Sequence, residues 1–264
     1  MSAVEKYSAE ELGWRRKSGP PIIWRVVEGR KKIGGKSLRF SIQEIPRDRR
    51  DDVIRLMSTE FARDEPLCAS VGLVNDAEAL ADFHKIWWFA LEQGIVVGAF
   101  LVDENNPKPR LVAANVILVN NAAVERGMKH AVQLTSESMK RLTSFMASLD
   151  AEADVRKIYN VDEYITAFGL CVHPQYRGQG LGYQLLRVRD DISVAYDIQA
   201  TSTVFSAPAA QSAAASADFE VLIDRQFSDL KNEDGNELFY GITSKRYKLM
   251  GKRFVAEKTT TNGE

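Results

Sequence analysis

Segments rich in β-formers alternate with segments whose apolar residues fall at helical spacing, and this predicts a mixed α/β protein. IIWRVV (22–27) and LRFSIQEI (38–45) read as strands around the turn GRKKIGGKS. After Pro46, Val53, Ile54, Met57 and Phe61 share one helical face. That helix is expected to stop near Asp64–Pro66 and to give way to a loop, DEPLCASVG, because Pro66 disfavours a helical Glu65 and Gly72 follows. Asn75 or Asp76 caps a second helix with Leu80, Phe83, His84, Trp87, Trp88 and Leu91 on its stripe, and Gly94 ends it. IVVGAFLVDE and PRLVAANVILV form a hairpin around NNPKP. A helix is expected over roughly 128–149, with Val132, Met139, Leu142, Phe145 and Leu149 inward. YITAFGLCV (164–172) is nearly all apolar, as a central strand buried on both faces should be. A helix with Leu181, Leu185, Val188 and Ile192 on one face follows, then a strand at 198–206 and an Ala-rich helix from Pro208. FEVLIDRQF and ELFYGITSKRYKLM look like a closing antiparallel pair.

No repeat and no linker long enough to split domains interrupts this order. The expected fold is one α/β (α+β) domain over residues 21–255, a mixed, strongly twisted sheet flanked by helices. Residues 1–20 are expected to be a flexible basic extension, and 256–264 a frayed tail.

Charge narrows the function. The chain has 35 basic and 36 acidic side chains, a net charge of −1, and this argues against a nucleic-acid partner, which requires an excess of Lys and Arg. The apolar share of 45% with 27% charged is that of a folded protein rather than a disordered one. Residues 1–50 hold 13 Lys/Arg against 6 Asp/Glu, and residues 51–120 hold 5 against 11. The acidic stretch suits a cationic substrate or an ordinary helix surface, and the basic one a solvated extension or a functional arm. Apolar runs such as IVVGAFLV fall short of the ~20 residues of a membrane-spanning helix, so no membrane partner is expected. The N-terminus has no apolar signal core. The two cysteines, Cys68 and Cys171, build no disulfide framework, so a reducing, cytoplasmic location is expected. His84, His130 and His173 are scattered, and no metal is expected. Cys68 has no clear His partner and reads as pocket lining rather than a nucleophile. Nothing in the sequence selects an oligomeric state.

The chemistry concentrates in VHPQYRGQGLGYQLL (172–186), which follows the apolar strand and opens the next helix. Gly178, Gly180 and Gly182 let the backbone turn tightly and bring a ligand close to the main chain. The helix N-terminus directs unpaired N–H groups and the positive dipole end at that ligand, and Arg177 adds a charge. A phosphate or diphosphate cradle is the physical reading; a ligand-free Gly-rich turn is the bland one. The dinucleotide pattern G-x-G-x-x-G fails at Tyr183. The P-loop pattern fails at 30–37, where Arg30 takes the first glycine position and a strand follows. The pattern R-x-x-G-x-G/A is matched in full by Arg177, Gly178, Gln179, Gly180, Leu181 and Gly182.

That last pattern resembles the acetyl-CoA motif of the GNAT superfamily of N-acetyltransferases. The resemblance implies acetyl-CoA as co-substrate, its diphosphate held by the backbone of 177–182. It also implies a bulged preceding strand, with Leu170, Cys171 and Val172 along the pantetheine arm and an N–H there polarising the thioester carbonyl. FARDEPLC (61–68) is similar to the D-E-P-L loop of insect-type arylalkylamine N-acetyltransferases. That likeness implies a small amine acceptor and Glu65 as general base. The residue-level alternative is that Glu65 only caps or solvates its loop. The chemistry asks for a base, since an amine of pKa ~10 is neutral in only about one molecule in a thousand at pH 7. The same family has two serines, one helical turn apart, that assist the leaving thiolate. The first matches Ser206, and the second falls on Ala210, which has no hydroxyl. Ser206 therefore stands as either a proton donor or an ordinary strand-end serine. A peptide N-acetyltransferase and a non-catalytic acyl-CoA-binding module are the alternative functions.

Overall fold

The computed structural model describes residues 6–33, 35–103, 106–232 and 234–254; the expected tail at 256–264 lies outside them. Eight strands share one sheet: β1 (Ile23–Ile33), β2 (Lys36–Glu44), β3 (Val97–Leu101), β4 (Leu111–Asn120), β5 (Tyr164–Val172), β6 (Ala200–Phe205), β7 (Glu220–Gln226) and β8 (Arg246–Arg253). Their order is β1-β2-β3-β4-β5-β6-β8-β7. Neighbours run antiparallel except β5 and β6, which are parallel. A parallel pair needs a crossover, and helix α9 (Leu181–Tyr196) supplies it.

One apolar layer lies between the sheet and helices α2 (Arg50–Leu56), α5 (Ala77–Gln93) and α7 (Glu137–Glu152), and contains Val53, Met57, Trp87, Phe89, Leu142 and Phe145. The other lies under α9 and joins Leu185, Val188 and Ile192 to Phe40, Ile42, Val112 and Ile117. With both faces covered, β4 is buried along nearly its whole length.

The expected two-sided burial of 164–172 fails in the middle of β5. Residues 166–170 are only half-buried, because β5 and β6 register at a single pair, Ile165 with Thr201, and then part. The sheet is split there, and a gap runs along one flank of β5.

Four local differences have clear causes. DEPLCASVG is not all loop. Pro66 pre-sets the first turn of a short helix, α4 (Pro66–Ser70), and Glu65, held extended before the proline, caps it. The helix expected at 128–149 is two helices, α6 (Ala122–Ala131) and α7. Buried Asp82 accepts the N–H groups of Thr135 and Ser136 at 2.7 and 2.8 Å, and Ser136 caps α7. A short helix, α8 (Val155–Tyr159), then leads into β5. The last strand starts only at Arg246; in the preceding segment Phe239 packs against Phe145 and Phe227 instead.

The N-terminus differs as well. Residues 7–16, expected to be flexible, are bound to the core, while 17–20 are exposed. Ser8 and Glu11 form a capping box on α1 (Ala9–Leu12), and Leu12 is fully buried. Arg15 pairs with buried Glu92, and Arg16 with buried Glu44. Arg15 and Arg16 thus answer carboxylates in the core rather than water.

Candidate active site

A bulge sets the geometry of β5. Between the pairs Asn115–Leu170 and Ile117–Ala167, β4 has one residue and β5 has two, Phe168 and Gly169. Gly169 has φ +124°, and a Cβ there would lie 2.5 Å from the Met57 methyl and 2.9 Å from the Phe61 ring. Those residues belong to a π-turn, Met57–Phe61, that continues α2 into α3 (Ala62–Asp64). The bulge carbonyls turn into the core: the Trp87 indole donates to Phe168 O at 2.9 Å, and Asn115 Nδ2 donates to Gly169 O, also at 2.9 Å.

Of the residues expected along the pantetheine arm, the backbone favours two. His173 N–H donates to Val112 O, so by strand alternation the peptide groups of Cys171 face β4 and those of Leu170 and Val172 face the gap. The Cys171 side chain is buried in the α2/α5 layer, on the sheet face away from α9. Burial pushes its thiol pKa up to about 12, and burial followed by nearby Glu65 raises that of Cys68. Both thiols are therefore expected to react slowly with a thiol reagent at pH 8 in the native protein, and fast once it is unfolded. Rapid native labelling of either would contradict that.

The glycine turn lies at the end of β5. Gly178 and Gly180 have φ +80° and +85°, and a Cβ on Gly182 would have Leu170 Cδ2, 3.9 Å away, as its nearest neighbour. Gly180 is the N-cap of α9 and offers no side chain to the first turn. No backbone N–H from Gly178 to Tyr183 has an acceptor among the described residues. A run of unpaired donors on a positive helix end fits the diphosphate of acetyl-CoA. Arg177 Nε donates to Val172 O at 3.1 Å, and its guanidinium pairs with Asp64. Arg63 and Arg177 together hold the Asp64 carboxyl below the usual range.

That ion pair brings the DEPL segment beside the turn, and β6 brings Ser206 to the same place. The Ser206 hydroxyl donates to Glu65 Oε1, while Glu65 Oε2 accepts from Cys68 N at 2.7 Å. The capping role is thus real, and it occupies only one of the two oxygens. Ser206 is 6% exposed, and its carbonyl accepts from Ser244 Oγ at 2.6 Å. Ala210 packs against the small apolar cluster of Phe205 and Phe219 behind helix α10 (Pro208–Ser216) and contributes no polar atom. A cavity of about 410 Å³ opens beside the pair, lined by Pro66, Pro208, Gln211, Ser244, Lys245 and Arg246. Arg246 is paired with Asp224 at 2.7 Å.

Two residues that fix the bulge carry no functional signal in the sequence: Asn115 is a lone amide in an apolar strand, and Trp87 lies on a stripe that reads as packing. His84 bonds Ser58 at 2.7 Å and packs on Trp87. Among the described residues, no group of three His, Cys, Asp or Glu side chains could hold a metal, and no helix is long and apolar enough to cross a membrane.

No protein-family profile and no curated protein sequence matches the chain. Solved structures do. An Aedes aegypti protein assigned provisionally as arylalkylamine N-acetyltransferase 7 superposes with a TM-score of 0.81 at 27% identity, over 92% of this chain and 99% of that one. Arylalkylamine N-acetyltransferase 2 of the same mosquito gives 0.69 at 20%, over 82% and 99%. The Drosophila melanogaster polyamine N-acetyltransferase that forms N-acetylagmatine gives 0.67 at 15%, over 81% and 99%. The last two share the fold.

Proposed function

We propose that this chain, a GNAT-type N-acetyltransferase by its fold and an acetyl-CoA-dependent enzyme, acetylates the primary amine of a small arylalkylamine or related amine by direct attack. The observation that carries this reading is the contact between Glu65 and Ser206 at the mouth of the β5–β6 gap.

Acetyl-CoA supplies the activated acetyl group as second substrate. The amides from Gly178 to Tyr183 bind its diphosphate, and the edge of β5, through the Leu170 peptide groups and the Val172 N–H, pairs with its arm. An N–H on that edge polarises the reacting carbonyl. Glu65 Oε1 accepts the proton of the incoming ammonium, leaving the neutral amine to attack. Ser206 already donates to that oxygen. It can pass its own proton to the leaving sulfur and recover one from Glu65, so the proton lost by the ammonium ends on the thiol, while the second proton, lost from nitrogen as the tetrahedral adduct collapses to the amide, leaves to solvent. With Ala210 in the second serine position, Ser206 carries this step alone.

Ser206→Ala is expected to lower kcat roughly 10–100-fold, because the relay is lost while base and cradle remain. Steady-state kinetics at saturating acetyl-CoA measures it, and an unchanged kcat would reduce Ser206 to a strand-end serine. The function itself is tested by thiol release from acetyl-CoA against arylalkylamines, agmatine, aliphatic amines and peptides. Turnover with small amines is expected. Turnover only with peptides, or CoA binding without turnover of any acceptor, would overturn it.

A further inference from the structure

The basic tip of the first hairpin reaches the glycine turn. Between the pairs Glu28–Arg39 and Lys32–Ser37, β1 has three residues where β2 has one. Gly29, Arg30 and Lys31 therefore bulge out of the ladder, and the amides of the last two bond elsewhere. Arg30 N–H donates to Gln179 O at 3.3 Å, and Lys31 N–H donates to Gln179 Oε1 at 2.8 Å. Gln179 is 4% exposed. Gly29 permits the approach, since a Cβ there would lie 2.4 Å from Gln179 Oε1.

This docking fixes where two cations stand. A Cβ on Gly178 would meet Lys31 Nζ at 2.4 Å, and one on Gly180 would meet Arg30 Nε at 2.8 Å. Both side chains are exposed. Among the described residues neither is ion-paired; Lys31 Nζ reaches only Arg177 O, at 3.5 Å. Two cations without a counter-charge among the described residues, Arg30 with its guanidinium 5.9 Å from the Tyr183 ring centroid, thus flank a run of unpaired N–H donors on the positive end of α9. Such a concentration of one sign is self-repulsive until an anion enters it.

We propose that Arg30 and Lys31 form a cationic grip on the diphosphate of acetyl-CoA, a binding role for the β1 bulge beyond that of the glycine turn. The inference rests on the proposed cofactor use. It selects the diphosphate over the 3′-phosphate because both side chains stand at Gly178 and Gly180 themselves. The bulge is built into the sheet edge, so the grip is positioned before the ligand arrives.

Calorimetric titration of CoA and of dephospho-CoA tests it, with wild type, R30Q/K31Q and the charge-keeping R30K/K31R. Neutralisation is expected to weaken both ligands by the same factor, roughly 10–100-fold, and to flatten the salt dependence of binding. R30K/K31R should retain most of the affinity. The Tm of R30Q/K31Q should match wild type, since both side chains are exposed. Equal affinity of wild type and R30Q/K31Q would overturn the grip, as would a loss confined to the ligand with the 3′-phosphate. R30K/K31R failing as badly as R30Q/K31Q would show that the stems act rather than the charges, and would also overturn it. Wild type binding neither ligand would overturn the proposed function, and the grip with it.

Discussion

Glu65→Gln is expected to lower kcat by about 10²–10⁴-fold, the usual contribution of a positioned general base. The substitution is close to isosteric. The amide oxygen of the glutamine could still accept the Cys68 N–H that starts α4 or the Ser206 hydroxyl, so Tm and CoA affinity should stay near wild type. Only the capacity to take a proton is lost. The pH profile then separates a base from a cap. In the variant the rate should climb with pH as the free amine fraction grows, because nothing in the site removes the ammonium proton. In wild type that climb should be shallower, because the site itself takes the ammonium proton. Kinetics from pH 6 to 9 beside a melting curve measures this. Unchanged turnover at neutral pH would leave Glu65 as the cap of α4 and nothing more.

Arg189→Leu is expected to cost about 3–5 kcal/mol of stability, because several hydrogen bonds to a buried guanidinium are lost together and a buried carbonyl is left without a donor. Arg189 is fully buried on α9. Its guanidinium bonds Asn115 Oδ1 at 2.9 Å, Thr201 Oγ1 at 2.8 Å and Thr203 Oγ1 at 2.9 Å, and lies 5.7 Å from the Phe219 ring centroid. Burial brings its pKa down to about 9, so it remains charged at neutral pH. One side chain thus ties β4 to β6 at the split in the sheet. Leucine leaves the Asn115 carbonyl without its donor, and Asn115 is what holds the bulge at Gly169 O. At roughly 2–4 °C per kcal/mol for a protein of this size, Tm should fall by about 6–20 °C. Activity at a permissive temperature should fall too, because the edge of β5 loses its support. A melting curve and kinetics at low temperature check both. A Tm within a degree or two of wild type would mean the network is replaceable by apolar packing.

Legibility followed the range of the signal. The strand–helix order, the Gly178–Gly182 turn at the start of α9 and the Pro66 punctuation are local, and periodicity with turn chemistry exposes them. The helix α4 is legible in principle, since Glu65-Pro66 is a cap followed by proline at the first helical position, but a proline after a helix reads as a stop as readily as a start. The break before α7 was not legible, because it depends on Asp82, more than 50 residues earlier in the chain. The docking of residues 7–16 was hidden in the same way, since Glu44 and Glu92 reveal themselves as partners of Arg16 and Arg15 only once the core has buried them.

The chain's own order of residues determined that a β-strand runs into a glycine-rich helix start and that a carboxylate sits before a proline, because each depends on neighbours a few positions away. Tertiary structure alone decided that β6 leaves β5, that Ser206 meets Glu65 across 141 positions, and that Arg30 and Lys31 stand over the turn. Strand pairing brings together groups remote in sequence, and whether one strand stays beside another depends on what packs between them. Here a buried arginine ties β4 to β6 and a bulge sets two residues of β5 against one of β4, and no local pattern encodes either.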